Sequence, residues 1–165
     1  MRLLASPTLR VFTFAFAVTA AMLMACGGGS GPIEDAQEVV VDRVEFQIPG
    51  TMSVLGVHGV DSFVGEWKSA ELSLLLDLGG YSDPLGYESK EAYRVTITTI
   101  DGKQATIERF MDPGADSERP YVAAIHFADA GEGQKLTIFG RGATEADQDV
   151  LMAIYKTVKF NDSDA

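Results

Sequence analysis

Cysteine is almost absent from this chain, which carries only Cys26 among its 165 residues. A single cysteine excludes an intramolecular disulfide. Histidine is nearly as scarce, since only His58 and His126 are present. A zinc ion takes three or four protein ligands drawn from Cys, His and carboxylates, and the sequence has no H-E-x-x-H motif and no close pair of histidines. We therefore predict no metal site and no cofactor.

Positive charge is also in short supply. Lys and Arg total 13 against 24 Asp and Glu, which gives a formal net charge of −11. Residues 26–165 keep every acid but lose Arg2 and Arg10, so their formal charge is −13. Nucleic-acid-binding proteins cluster Lys and Arg, so this composition argues against a nucleic-acid partner. It argues equally against electrostatic attraction to anionic lipid.

The N-terminal region lacks an apolar run long enough to span a membrane. Its uncharged apolar stretch, Val11–Leu23, has 13 residues, whereas a spanning helix needs roughly 20. That length is typical of the apolar region of a signal peptide, and Arg2 and Arg10 supply the positive charge expected before it. The pattern predicts a signal peptide over residues 1–25.

The four residues Leu23-Met24-Ala25-Cys26 resemble the lipobox of bacterial lipoproteins. Leu23, Ala25 and Cys26 match that motif, while Met24 is bulkier than the residue usually found there. The resemblance implies diacylglyceryl on the Cys26 thiol, cleavage directly before Cys26, and acylation of the new amino terminus with a fatty acid such as palmitate. Two acyl chains are enough for stable anchoring.

The residue after the cysteine bears on which membrane is used. Gly27 stands where aspartate often favours inner-membrane retention in Gram-negative lipoproteins. The resemblance therefore implies an outer-membrane anchor facing the periplasm in a Gram-negative host. Two alternatives stay open. An ordinary secretory peptide would leave a free thiol at Cys26, and a single-pass anchor would need a longer apolar run.

The remaining chain divides by composition. Residues 26–38 follow the lipidated cysteine with a glycine-rich and serine-containing stretch that predicts a flexible tether. Residues 39–160 are predicted to form a single globular domain, since about 120 residues is an ordinary domain size. Residues 161–165 read as an acidic tail.

Alternating apolar and polar residues predict a β-rich domain. The predicted strands are Val40–Ile48, Glu71–Leu78, Tyr93–Ile100, Gln104–Phe110, Tyr121–Phe127 and Leu136–Phe139. Residues 52–60 are apolar but ambiguous, because two glycines interrupt them. Asp101-Gly102 between two β-rich runs predicts a two-residue hairpin turn, since both positions tolerate positive φ.

Near the C-terminus the spacing of apolar residues changes from that of a strand to that of a helix, which predicts a helix there. Thr144 and Asp147 resemble a capping box, and an apolar face recurs at helical spacing through Val150, Leu151, Ile154 and Val158. Strands joined by short turns and followed by one helix predict the α+β class. We expect an antiparallel β-sheet with the C-terminal amphipathic helix packed on one face.

This order of elements resembles the PsbP-like fold, named for an extrinsic photosystem protein. The matching residues are Ile48-Pro49 at the end of an early strand, the hairpin around Ile100-Asp101-Gly102-Lys103, and Thr157-Val158-Lys159-Phe160 at the end of the helix. The resemblance spans most of residues 42–160. It implies a fold whose members are largely accessory proteins, and it brings no catalytic residues with it.

No sequence motif assigns a catalytic residue. The chain has no G-x-S-x-G or S-x-x-K motif, no P-loop, and no G-x-G-x-x-G that opens a helix. The densest cluster of unusual residues holds the single tryptophan, and here we predict a recognition surface formed by Trp67, Asp77 and Tyr81. The competing interpretation is that Trp67 packs in the core while the nearby acids face solvent.

These observations predict a lipid-anchored cell-envelope protein with a non-catalytic accessory or binding domain. Its partners are the membrane, through acyl chains on Cys26, and an envelope protein or ligand that the sequence does not identify. One alternative is a small periplasmic hydrolase or metal-dependent enzyme that uses Asp61, Glu66, Asp77 or His126. The other is a carrier that holds an apolar ligand between sheet and helix.

Overall fold

The computed structural model describes residues 33, 35–58 and 61–161. The predicted signal peptide, Cys26 and residues 162–165 of the predicted tail lie outside this part of the chain. The described elements, in chain order, are β1 (Gln37–Val41), β2 (Val44–Ile48), β3 (Ser53–His58), β4 (Ser62–Lys68), β5 (Leu72–Gly79), β6 (Glu91–Ile100), β7 (Lys103–Met111), β8 (Tyr121–Gly131), β9 (Gln134–Gly142), α1 (Glu145–Lys156) and β10 (Lys159–Phe160).

The strands form two antiparallel sheets. The large sheet has seven strands in the order β3-β4-β5-β9-β8-β7-β6, and the small sheet has three in the order β1-β2-β10. The predicted α+β class is confirmed, but the sequence pattern had indicated one sheet instead of two. Within the described residues, α1 is too short and too polar to cross a bilayer.

The predicted strand Val40–Ile48 is wrong as a single element. The chain reverses at Asp42-Arg43, with Asp42 at φ 52°, and β1 then pairs with β2 from Val41↔Val44 outward. Aspartate tolerates this left-handed conformation because its short polar side chain can hydrogen-bond locally. Alternation within β2 is as predicted, since Val44, Phe46 and Ile48 are all fully buried.

The predicted hairpin is confirmed. β6 and β7 are joined by Asp101 and Gly102, with φ values of 49° and 77°, and Ile100 pairs directly with Lys103. Two successive positive φ angles define the type I′ turn, whose twist matches that of the two strands.

The predicted capping box of α1 is also confirmed. Asp147 Oδ2 accepts a hydrogen bond from the Thr144 backbone N–H at 2.7 Å, and Thr144 Oγ1 accepts from the Asp147 N–H at 3.3 Å. The helix ends earlier than its apolar spacing indicated, because Val158 lies beyond Lys156. The chain instead turns at Thr157 and enters β10, which pairs with β2 through Phe160↔Val44.

Two glycines of β9 allow α1 to lie very close to the large sheet. A Cβ atom at Gly140 would overlap the Leu151 side chain and come within 3.0 Å of Tyr155 Oη, and a Cβ at Gly142 would overlap Asp147. Tyr155 is fully buried, and its hydroxyl donates to the Ala123 carbonyl oxygen at 2.7 Å.

We expect Gly140→Ala to lower the free energy of unfolding by about 1–3 kcal/mol, the usual cost of extra volume in a packed core. Leu151 is fully buried and has no room to move aside. Urea denaturation measures the change. Gly80→Ala is the matched control, because nothing lies within 4 Å of a Cβ there. Equal losses in both variants would contradict the close approach at Gly140.

Candidate functional site

The three residues of the predicted recognition surface do not meet in the structure. Trp67 is only 4% exposed and packs edge-on against Phe46, with ring centroids 5.5 Å apart. Tyr81, by contrast, is 88% exposed. Trp67 pairs with Leu74 on β5, so strand alternation puts Asp77 on the opposite face of the sheet. The burial of Trp67 agrees with the competing interpretation, in which Trp67 packs in the core.

Of the other sequence candidates, Glu66 lies on the same sheet face as Asp77, on the neighbouring strand. Asp61 is exposed just before β4, and Glu66 is exposed within it. β4 itself was not expected, because Gly65 breaks the apolar pattern. The glycine is there because the Trp67 ring lies against it, and a Cβ at residue 65 would overlap that ring.

Asp77, Thr137 and His126 share the sheet face that points away from α1, which we call the outer face. Asp77 is directly opposite Thr137 on β9, and Thr137 is directly opposite His126 on β8. Because adjacent strands lie about 4.8 Å apart, the strands of Asp77 and His126 are separated by roughly twice that distance. Thr137 occupies the position between them.

Thr137 is the centre of a hydrogen-bond network on the outer face. Its hydroxyl donates to the Asp83 carbonyl oxygen at 3.0 Å and accepts from Ser82 Oγ at 2.8 Å. His126 Nδ1 lies 2.9 Å from the same oxygen. A hydroxyl has one hydrogen, and that of Thr137 is already donated, so Nδ1 of His126 must be the donor. This arrangement assigns the Nδ1–H tautomer and leaves a lone pair on Nε2.

The surroundings of His126 favour its neutral form. Burial lowers the pKa of the imidazole, and the positive charge of Lys135 lowers it further, while Asp83 opposes this in part. Ser82 is buried and its hydrogen goes to Thr137 instead of His126. A serine nucleophile must be bonded to its base and reachable by substrate. The network therefore suits a structural role better than acyl transfer.

The hydrogen bonds of Thr137 attach the segment 81–90, which we call the covering loop, to the outer face. At its far end the Tyr87 ring packs on Phe110, with centroids 4.9 Å apart. Lys90 Nζ donates to Asp112 Oδ1 at 2.9 Å, and this bond is the largest cause of a lowered pKa for the Asp112 carboxyl. The covering loop is thus fixed to the outer face at both ends.

A groove of about 540 Å³ lies between α1, the segment before β1, and the β2–β3 and β4–β5 connections. This volume is in the range of ligand-binding pockets. Its described lining has four carboxylates, five buried or half-buried apolar side chains, and no Lys or Arg. The carboxylates are Asp35, Glu71, Asp147 and Asp149, and the apolar side chains include Ile33, Leu72 and Val150. We call it the acidic groove.

Sequence reasoning missed the acidic groove. Its residues come from the segment before β1, the β2–β3 connection, the β4–β5 connection with the start of β5, and α1. The capping box at the start of α1 is a motif for a helix start and does not predict a groove, and only the folding of the chain brings these segments together. The one available signal was the excess of acids, which does not say where they cluster.

No group of three or more His, Cys, Asp or Glu side chains within residues 33, 35–58 and 61–161 is placed to hold a metal ion. Asp112 and Asp116, in the acidic loop after β7, have other partners. Asp112 accepts from Lys90 and Arg141, and Asp116 Oδ1 accepts from the backbone N–H groups of Glu118 and Arg119. These bonds fix the loop as a turn.

No protein-family model and no curated protein matches the sequence. Among solved structures, the chain is similar to cyanobacterial PsbP (CyanoP) from Synechocystis sp. PCC 6803, determined in solution. The TM-score is 0.50 at 14% sequence identity, and the match covers 84% of this chain and 98% of the other. This supports the PsbP-like resemblance at the level of the fold alone.

Because the pKa of His126 is lowered from 6.5 in the folded protein, the unfolded chain takes up a proton first as the pH falls. The folded state should therefore lose stability as the pH drops below about 6.5. Urea denaturation at pH 7.5 and 5.5 measures this loss. We expect a smaller loss for His126→Gln, and also for Lys135→Gln, which keeps the histidine but removes its positive neighbour. Identical losses in all three proteins would contradict the argument.

Proposed function

We propose that this chain is a lipid-anchored cell-envelope protein whose globular domain is a non-catalytic binding module. In this proposal the acidic groove receives a cationic segment of an envelope partner. The observation that carries the proposal is the lining of the groove, in which carboxylates stand beside apolar side chains without a Lys or Arg among the described residues. A lysine or arginine suits such a groove, because its stem packs on apolar surface while its charge meets the acids.

Two of the four carboxylates are best placed to bind. Asp147 is committed to the capping box, and Asp149 Oδ1 accepts from Arg109 Nη2 at 3.1 Å. Glu71 makes only a long contact of 3.5 Å with Ser69 Oγ among the described residues. Asp35 is exposed at the mouth of the groove. Asp35 and Glu71 therefore keep most of their capacity to accept hydrogen bonds from an incoming cation.

The proposal includes the packing of the amphipathic helix on one face of the sheet. Asp147, Asp149 and Val150 form one wall of the groove, so the helix must be held firmly for the groove to exist. Two contacts support this. Leu151 lies against Gly140, and the Tyr155 hydroxyl donates to the Ala123 carbonyl oxygen.

The predicted lipid anchor limits how far the acidic groove can lie from the membrane. Ile33 and Asp35 line it, and Ile33 is the seventh residue after the predicted acyl-cysteine. A glycine-rich chain of that length has a root-mean-square span of roughly 15 Å. The groove would then stay close to the lipid surface, facing the periplasm if the host is Gram-negative and the anchor lies in the outer membrane.

The two alternative functions have less support. The lining of the acidic groove includes none of the residues of the hydrolase hypothesis, Asp61, Glu66, Asp77 and His126. A carrier would need a largely apolar cavity, whereas the acidic groove carries four carboxylates. The PsbP-like resemblance also favours an accessory role.

The anchor is tested by Cys26→Ala in the full chain expressed in a Gram-negative host. We expect loss of palmitate labelling and of partitioning into detergent, because no other thiol can take the lipid. Gly27→Asp is the control, and it should keep the label while moving the protein toward the inner membrane. Unchanged membrane association of Cys26→Ala would refute the lipoprotein assignment.

The groove is tested with a fluorescent lysine-rich peptide at low ionic strength. Glu71→Lys should weaken binding about tenfold or more, because 1.4 kcal/mol is a factor of ten and a charge reversal near a bound cation exceeds that. Glu66→Lys makes the same change in net charge on β4, outside the groove, and should have little effect. Equal weakening by both variants would mean that the peptide responds to the overall charge only.

A further inference from the structure

We propose that a pocket between β6, β7 and the start of α1 binds a carboxylate group through Arg94 and Arg109. The pocket has a volume of about 200 Å³. Its lining includes both arginines, Tyr121, Glu145 and Gln148. This site is separate from the acidic groove and does not depend on the function proposed for it.

The register of the large sheet brings the two arginines together. Arg94 on β6 is directly opposite Arg109 on β7, so both side chains leave the same face of the sheet at neighbouring positions. Like charges in this position repel each other. A negatively charged group between them would turn that repulsion into two attractive contacts.

Arg109 is already oriented by buried neighbours. Its Nε and Nη2 donate to Gln148 Oε1 at 3.2 and 3.0 Å. Gln148 is itself buried, and its Nε2 donates to the carbonyl oxygens of Phe110 and Val122 at 3.1 and 2.8 Å. The guanidinium is thus held in place before any ligand arrives, which lowers the entropic cost of binding. Its Nη1 donates to no residue in the described part of the chain.

Among the described residues, the positive charge of Arg94 takes part in no ion pair. Arg94 is exposed, and within residues 33, 35–58 and 61–161 it has no hydrogen-bond or ion-pair partner. Arg109 differs, because Asp149 neutralises it in part through a bond of 3.1 Å. With Asp149 counted, the two arginines keep about one positive charge, and Glu145 in the same pocket is the carboxylate that opposes it. Guanidinium groups bind planar oxyanions through two parallel N–H donors.

The surroundings favour a carboxylate over a phosphate. Glu145 lines the same pocket, and the formal net charge of the chain is −11. Both features penalise a dianion more than a monoanion. Glu145 also begins α1, where the helix dipole favours negative charge. A single carboxylate, from an acidic side chain, a chain terminus or a small organic acid, meets these conditions best.

The test is an amide chemical-shift titration of the ¹⁵N-labelled protein with sodium acetate, with sodium chloride added to keep the ionic strength constant. We expect saturable shifts at Ala92–Arg94 and Arg109, with a dissociation constant in the millimolar range. Arg94→Gln should weaken the binding at least tenfold. Lys68→Gln removes the same unit of charge near the opposite edge of the large sheet and should leave the binding unchanged.

A second variant is expected to change acetate binding in the opposite direction. Glu145→Gln removes the competing carboxylate and should strengthen acetate binding several-fold, whereas a general loss of structure would weaken it. Saturation by inorganic phosphate but not by acetate would overturn the carboxylate assignment. Shifts that rise linearly, or that are equal in the original protein and Arg94→Gln, would overturn the site itself.

Discussion

The close approach of α1 to the large sheet is the constraint on which the functional surfaces depend. Two positions on β9, Gly140 and Gly142, lack the Cβ atoms that would collide with Leu151 and Asp147. Once α1 is seated there, Gln148 reaches the carbonyl oxygens of Phe110 and Val122 in the neighbouring strands. One face of the helix then borders the acidic groove and the other orients Arg109. The acidic groove and the pocket that Arg109 lines therefore both depend on the position of α1.

Local chemistry explains which parts of this fold the sequence could predict. The Asp101-Gly102 turn and the Thr144–Asp147 capping box depend on a few adjacent residues, so their patterns were sufficient. The reversal at Asp42-Arg43 was missed because aspartate reaches positive φ less often than glycine, and because Val40 is in phase with Val44 and Phe46 in the alternating pattern. β4 was missed because Gly65 interrupts its apolar pattern. The Trp67 ring that packs against Gly65, and that explains the glycine, is apparent only in the folded structure.

The candidate sites were less predictable than the fold, for a physical reason. Arg94 and Arg109 face each other only because β6 and β7 pair in one register, and a shift of one residue would separate them. The acidic groove joins segments that are far apart in the sequence. The predicted set of Trp67, Asp77 and Tyr81 assumed that neighbours in sequence stay neighbours in space. Strand alternation instead sends Trp67 and Asp77 to opposite faces.

The pairing of β10 with β2 has a consequence for how the chain is completed. β2 lies in the middle of the small sheet, between β1 from the beginning of the domain and β10 from its end. Phe160 pairs with Val44, and the Asn161 N–H donates to the Arg43 carbonyl oxygen at 2.8 Å. One edge of β2 thus stays open until residues 159–161 have been synthesised, after α1. Completion of the small sheet therefore joins two segments that are separated by the whole large sheet and the helix in the sequence.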